Sequence, residues 1–277
     1  MTVPDELTEL ASIDGHIGLQ QTACIPVTDD GLLRGDGAFE FVRCYLGRPF
    51  RLQEHLDRME RSCALLRLPF PHVQIREEIA ALLQALGAKN RDLRIVLTRG
   101  GRRILLLYRF PPWEHAQLAL IRDEPRLVIG GAKTLSYAGN MLAKRMATDR
   151  GFTDALLVRP NGHIMEAQQA AFFWADAAGN LCTPPLSEGI LDSITRRVIM
   201  TRLSVEERPC HERDAFAASE AFLAGTSREV HPIARIEDRY FPDVPGPLTR
   251  RAIDAYRAEV ASELGLQRRQ IDAAAAE

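Results

Sequence analysis

Apolar and polar positions change period several times along this chain, and each change marks an element. A largely apolar run through Ala38–Tyr45, broken only by Glu40 and Arg43, and a second short run over Pro49–Leu52, joined by Leu46-Gly47-Arg48, predict two strands of a hairpin. From Glu54 to Leu66 the residues Leu56, Met59, Cys63, Leu65 and Leu66 recur at three-to-four spacing, and Ile75–Leu86 repeats the pattern, which predicts two amphipathic helices. Strands return at Arg94–Leu97 and Ile104–Tyr108. They flank Arg99-Gly100-Gly101-Arg102-Arg103, where glycines supply the positive φ of a hairpin tip.

Pro111-Pro112 and the polar stretch at Glu114–His115 mark a boundary. Beyond it come a strand at Leu127–Ile129, the pair Gly130-Gly131, and a helix over Tyr137–Asp149 that Gly151 terminates. Short strands then crowd together: Ala155–Val158, His163–Glu166, Phe172–Trp174 and Leu181–Thr183, separated by Pro160-Asn161-Gly162 and Ala178-Gly179-Asn180. Such spacing predicts a curled antiparallel sheet or barrel. A helix over Thr195–Leu203, with Ser193 or Thr195 as its N-cap, a strand at Ala221–Ala224 and a last helix at Leu248–Leu264 complete the pattern, and no repeat is visible. The fold class is α+β in two domains. Residues 1–115 are expected to form a small domain, 116–130 a linker with the first strand of the next, 131–266 a larger domain, and 267–277 a frayed tail.

Composition narrows the function. With 277 residues, 46% of them hydrophobic and 26% charged, the chain can build real cores and is neither a disordered segment nor a fibre. A net charge of −2, with arginines interleaved among carboxylates, argues against nucleic acid as a partner. No run approaches the roughly 18 apolar residues of a membrane helix. The acidic start MTVPDELTEL does not read as a leader, and five cysteines without a CxxC pair suit reduced thiols and a cytoplasmic location better than structural zinc. Only three of the 35 basic residues are lysines, Lys89, Lys133 and Lys144. A GC-rich genome would explain the bias, but it leaves few candidates wherever chemistry needs a primary amine.

Lys133 follows two glycines and an apolar strand and precedes a helix. A lysine there can project into a cleft as a nucleophile, or it can make a structural ion pair. Lys144 sits inside a helix and Lys89 in a polar run, both positions of solvated surface. Glu54-His55-Leu56-Asp57-Arg58 and Ser193-Ile194-Thr195-Arg196 are candidate anion sites, the second because a helix start offers N–H groups; the first is equally a surface helix. Gly225-Thr226-Ser227 after an apolar strand is a further donor loop or a plain turn. Glu166, at a strand end, either holds a proton on a ring nitrogen or faces water. Gly35-Asp36-Gly37 is too short for a dinucleotide loop.

In chain order these pieces resemble the class IV aminotransferases, pyridoxal-phosphate enzymes of fold type IV that include branched-chain aminotransferases, D-amino acid aminotransferases and aminodeoxychorismate lyases. The matching segments are Arg34–Glu40 with Arg43, Glu54–Arg58, Lys133–Ala143, Gly151–Ala167, Thr183–Arg196 and Phe222–Ile233. The resemblance implies a small α/β domain followed by a larger one with a barrel-like sheet, the cofactor pyridoxal 5'-phosphate, and a homodimer. It makes Lys133 the Schiff-base lysine and proton carrier. Arg58 would clamp the cofactor phosphate with Ile194, Thr195 and Thr226, and Glu166 would pair with the pyridine nitrogen. Ala171 stands where the family usually has asparagine.

An amino acid and a 2-oxo acid are the implied substrates, and their carboxylate needs a cation. Arg34, Arg102 and Arg103 are the candidates, with Phe39 beside the substrate. Amino transfer on a D-amino acid is the preferred reading. The alternatives are a branched-chain L-amino acid aminotransferase, a pyruvate-releasing lyase on the same scaffold, and an idle interaction protein.

Overall fold

The long apolar strand Gly37–Tyr45 is central to the first of two units. In the computed structural model, which describes residues 9–109, 113–122 and 131–276, this strand is β3 of a six-stranded sheet. The others are β1 (Leu10–Ile13), β2 (His16–Leu19), β4 (Arg48–Pro49), β5 (Arg91–Thr98) and β6 (Arg103–Tyr108), in the order β2-β1-β6-β5-β3-β4. Every neighbouring pair is antiparallel. Ala38, Val42, Leu93, Ile95, Leu97, Leu105 and Leu107 point to one face. There they bury the apolar stripes of α2 (Leu52–Leu65) and α3 (His72–Leu86), which follow the short α1 (Asp30–Arg34) in the chain. Leu56, Met59, Cys63, Ile75, Ile79 and Leu82 form those stripes, as their spacing predicts. The six large side chains of the sheet face contribute on the order of 10–20 kcal/mol of burial before the entropy of ordering them is subtracted, at about 1.5–3 kcal/mol each.

The second unit wraps one ten-stranded sheet. Its strands are β7 (Ala116–Arg122), β8 (Asp154–Val158), β9 (His163–Ala167), β10 (Ala171–Ala175), β11 (Leu181–Thr183), β12 (Glu206–Glu207), β13 (Cys210–His211), β14 (Ala221–Gly225), β15 (Glu229–Ile236) and β16 (Arg239–Tyr240). They run β12-β11-β10-β14-β15-β7-β8-β9-β13, with β16 on β15. Leu118, Leu156, Ile164, Phe172, Trp174, Leu223 and Ile233 pack together in one core. The period-two partners Ala119, Ile121 and Ala155 turn outward onto Ala143 and Ala147 of α4 (Ala138–Asp149). Helices α5 (Ile194–Arg202), α6 (Glu212–Ala217) and α7 (Pro247–Leu264) come from the same half of the chain.

The structure departs from the sequence reading in three places. Ala132–Tyr137 joins the first unit, although 131–266 was expected to be one domain, because Thr134 pairs with Ala38 as an added strand segment. The expected frayed tail is a helix, α8 (Arg268–Ala276), assigned to the first unit; Ile271 and Ala274 are buried, and Arg43 Nη2 donates to the Ala274 carbonyl at 2.7 Å. Part of the expected linker is β7, while the predicted strand Leu127–Ile129 lies outside the described residues. All five cysteines are free thiols, and burial pushes those of Cys44 and Cys63 up to about 12. No helix among the described residues is long and apolar enough to cross a membrane.

Candidate active site

On β3 the side chains opposite the helix-covered face are Phe39, Phe41 and Arg43, and the residue that breaks the apolar pattern beneath is Glu40. Its carboxylate is fully buried and accepts from Arg58 of α2 through Nε at 2.7 Å and Nη2 at 2.6 Å. His55, one turn earlier on α2, places Nδ1 3.5 Å from Glu40 Oε1 without making a hydrogen bond. Burial alone would raise the Glu40 pKa, but the Arg58 charge and His55 outweigh it and hold the carboxyl ionised far below the usual range. His55 moves down as well. Burial is the largest cause, Arg58 and Lys133 add to it, and Glu40 opposes it, so the ring is neutral at neutral pH.

The segment carrying Lys133 lies along β3. Phe39 N–H donates to the Lys133 carbonyl at 3.0 Å, Leu135 N–H to Gly37 O at 2.9 Å, and Ser136 Oγ to Gly35 O at 3.1 Å. This explains Gly35-Asp36-Gly37. A Cβ on Gly37 would sit 2.5 Å from Leu97 O and 2.6 Å from Leu135 Cδ1, so the lysine segment can approach only glycine. Lys133 Nζ stands 4.4 Å from the centre of the Phe39 ring, which also meets Tyr137 edge-on at 5.5 Å.

A second cation shares that ring. Arg94 of β5 places its guanidinium carbon 4.7 Å from the Phe39 centroid and 5.5 Å from that of Phe41. Its Nε is buried with no hydrogen-bond partner, and it has no carboxylate partner among the described residues. Sequence reasoning missed it. The available signal was a charge on the less apolar side of β5, in line with Phe41 across the sheet. The arginines that were expected to meet the substrate have other neighbours: exposed Arg34 pairs with Asp30 one turn back, Arg102 Nη1 with Asp14 at 2.5 Å, and Arg103 Nε with Glu78 at 2.7 Å.

Within the second unit, Glu166 near the end of β9 accepts the Leu191 N–H at 3.2 Å, in the segment that leads into α5. Ser193 caps that helix by accepting from Arg196 N–H. Ile194 and Thr195, both buried, occupy the first turn, whose N–H groups no helical carbonyl can reach. Thr226 follows Gly225, where a Cβ would meet Ala170 Cβ and Gln169 O at 3.3 Å. The turn is held from beyond: Arg228 Nη1 donates to buried Asp154 at 2.6 Å, Asp154 also accepts from Gln168 Nε2 at 2.9 Å, and Glu229, at φ +54°, accepts from Arg257 at 2.8 Å. Ala171 is buried opposite Ala224 across the sheet, so the amide side chain expected there is absent.

His231, on the strand after this turn, is buried with Nε2 on the Glu114 carbonyl. Burial, then the Arg228 charge, push its pKa down to about 4. The unfolded chain, with an ordinary value near 6.5, takes up this proton first, so the contribution is complete above about pH 6.5 and is lost as pH falls toward 4. Urea unfolding at pH 7 and pH 5 checks this. The wild type should lose about 1–2 kcal/mol more than His231→Gln over that interval; equal losses would contradict it.

Taken one unit at a time, the first holds a primary amine and a guanidinium, and the second a carboxylate, a helix start and a threonine turn. These are the groups that an aldehyde, a phosphate and a pyridine nitrogen require. Known proteins agree. Residues 37–236 match the family model for amino-transferase class IV. A Methanocaldococcus jannaschii protein provisionally named a branched-chain-amino-acid aminotransferase is 30% identical over 273 residues, covering 88% of this chain and 94% of its own. The D-alanine aminotransferase of Listeria monocytogenes is 28% identical over 291 residues, covering 91% and 96%. Among solved structures, the PLP-bound form of a hypothetical aminotransferase from Mycobacterium tuberculosis superposes with a TM-score of 0.84 at 22% identity, covering 92% of this chain and 99% of that one. Fold and donor set together define a pyridoxal-phosphate enzyme of fold type IV. The chain belongs to the class IV aminotransferase family.

Proposed function

We propose that the protein exchanges an amino group between a D-amino acid and a 2-oxo acid, with Lys133 as the residue that does the chemistry. The observation that carries this is the Lys133 segment docked on β3, with Nζ on the Phe39 ring that Arg94 also covers. Bound pyridoxal phosphate supplies an aldehyde that takes up the amino group and a ring that accepts the electrons of the broken Cα–H bond. Lys133 Nζ is the amine that bonds to the aldehyde. Once the substrate amine has replaced it, Nζ moves the proton between the substrate Cα and the cofactor C4′. In the first unit Arg58, fixed in plane by Glu40, would hold the phosphate; in the second unit the Ile194 and Thr195 amides, the Thr195 hydroxyl and Thr226 are the donors suited to the same group. Glu166, oriented by Leu191, keeps a proton on the pyridine nitrogen.

Arg94 is the carboxylate receiver, in place of Arg34, Arg102 and Arg103. Arg94 is half-buried, stacks on two rings and has a buried Nε without a hydrogen-bond partner, whereas each of those three already faces a carboxylate. Arg94→Ala should raise KM for the 2-oxo acid about tenfold or more, the loss of one charge-assisted pair, with a smaller change in kcat. Arg34→Ala and Arg102→Ala should stay near wild type; the reverse order would return the role to them. Relatives named D-alanine aminotransferase support the D preference. Half-reactions with D-alanine, L-leucine and aminodeoxychorismate test it: conversion by L-leucine alone favours the branched-chain reading, and pyruvate release from the third favours the lyase. A homodimer would cover exposed Met141, Leu142 and Met146 on α4 and Leu32 and Leu33 on α1; light scattering showing one chain per particle would count against it.

A further inference from the structure

Helix α2 carries a residue with a place in this site that the family motif does not assign. Ser62 is fully buried one turn beyond Arg58, among the apolar residues Met59 and Cys63. A hydroxyl in such surroundings needs partners. It has two: Oγ lies 3.1 Å from the Arg58 carbonyl oxygen and 3.1 Å from the backbone nitrogen of Lys133. An amide can only donate, so the hydroxyl accepts from Lys133 and gives its own proton to Arg58. The back-bond to a carbonyl four residues earlier is common for serine in helices and would satisfy the hydroxyl by itself. The bond to Lys133, 71 residues away in the chain, is the additional feature.

We propose that Ser62 is a positioning residue that couples the lysine to the phosphate-binding arginine, an inference that rests on the cofactor roles given above to Lys133 and Arg58. The Lys133 backbone is gripped on both sides, its N–H by Ser62 of α2 and its carbonyl by Phe39 of β3. These two bonds fix the direction in which the side chain leaves the chain. Arg58 is fixed twice as well, its guanidinium by Glu40 and its carbonyl by Ser62. Removal of the hydroxyl leaves the segment on β3 through Phe39, Thr134 and Leu135, and leaves Arg58 on Glu40. The loss is therefore the registry between amine and guanidinium, not the fold.

The experiment compares wild type with Ser62→Ala and with Ser62→Cys, which keeps the volume but accepts weakly. Each is titrated with pyridoxal phosphate, with pyridoxal lacking the phosphate, and with inorganic phosphate, and the melting temperature of each cofactor-free protein is recorded. Registry matters only to a ligand that engages both groups. Loss of one hydrogen bond's preorganisation should lower the preference for pyridoxal phosphate over pyridoxal about five- to tenfold, with phosphate binding unchanged and melting within a few degrees of wild type. A role confined to packing would weaken all three ligands together or none, and an unchanged preference in both variants overturns the proposal. Wild-type protein that takes up the cofactor at a residue other than Lys133 would instead overturn the functional reading beneath it. Reduction of the bound cofactor with borohydride and peptide mapping separates the two failures.

Discussion

Lys133→Ala is expected to lose transamination by about 10³-fold or more, the scale on which a positioned proton carrier acts. It should also lose the visible absorption band that protein-bound pyridoxal phosphate gives the wild type. Arginine cannot replace the lysine, because a guanidinium stays protonated and forms no such bond to an aldehyde. Lys133→Arg should therefore fail as completely as alanine, although it keeps a cation over the Phe39 ring. Survival of the band in either variant would remove Lys133 from the chemistry. Folding should be nearly unaffected, since the segment is held to β3 by backbone groups and by Thr134 and Ser136, not by Nζ. A melting curve separates a chemical loss from a structural one.

Glu40→Ala has the largest expected effect on stability. It leaves the Arg58 guanidinium, 4% exposed, without its counter-charge, and breaking such a buried pair costs about 3–5 kcal/mol. The cofactor-free protein should melt roughly 10 °C lower, and affinity for pyridoxal phosphate should fall because the guanidinium plane is no longer set. Glu40→Ala combined with Arg58→Met should recover part of the stability, since no unpaired charge remains, and none of the cofactor affinity. A single variant that melts within a degree of wild type would show that Glu40 is not what holds Arg58.

Much of this was legible in the sequence because the period of the pattern matches the period of burial. The apolar run of β3 and the stripes of α2 and α3 identify the first core, and dense short strands from Ala155 onward identify the curled sheet. The scarcity of lysine makes Lys133 conspicuous in the sequence. What escaped depends on distant contacts. Thr134 bonds to Gly37 across 97 residues, so no local signal assigns the lysine segment to the first unit. Helix α8 is short and ends in an alanine run, so its sequence reads as a tail; Ile271 and Ala274 show its packed side through burial. β2 is exposed throughout, so its pattern carries no buried face to read. Arg94 was hidden among arginines, and only its stacking on Phe39 distinguishes it from Arg34, Arg102 and Arg103.

With lysines only at positions 89, 133 and 144, one chemical experiment addresses the whole account. The purified protein is loaded with pyridoxal phosphate, reduced with borohydride, digested and mapped by mass spectrometry. The cofactor mass is expected on the peptide containing Lys133, and is expected to be absent when the cofactor is first converted by an amino donor. Cofactor mass on Lys89 or Lys144, or on no lysine at all, would contradict it.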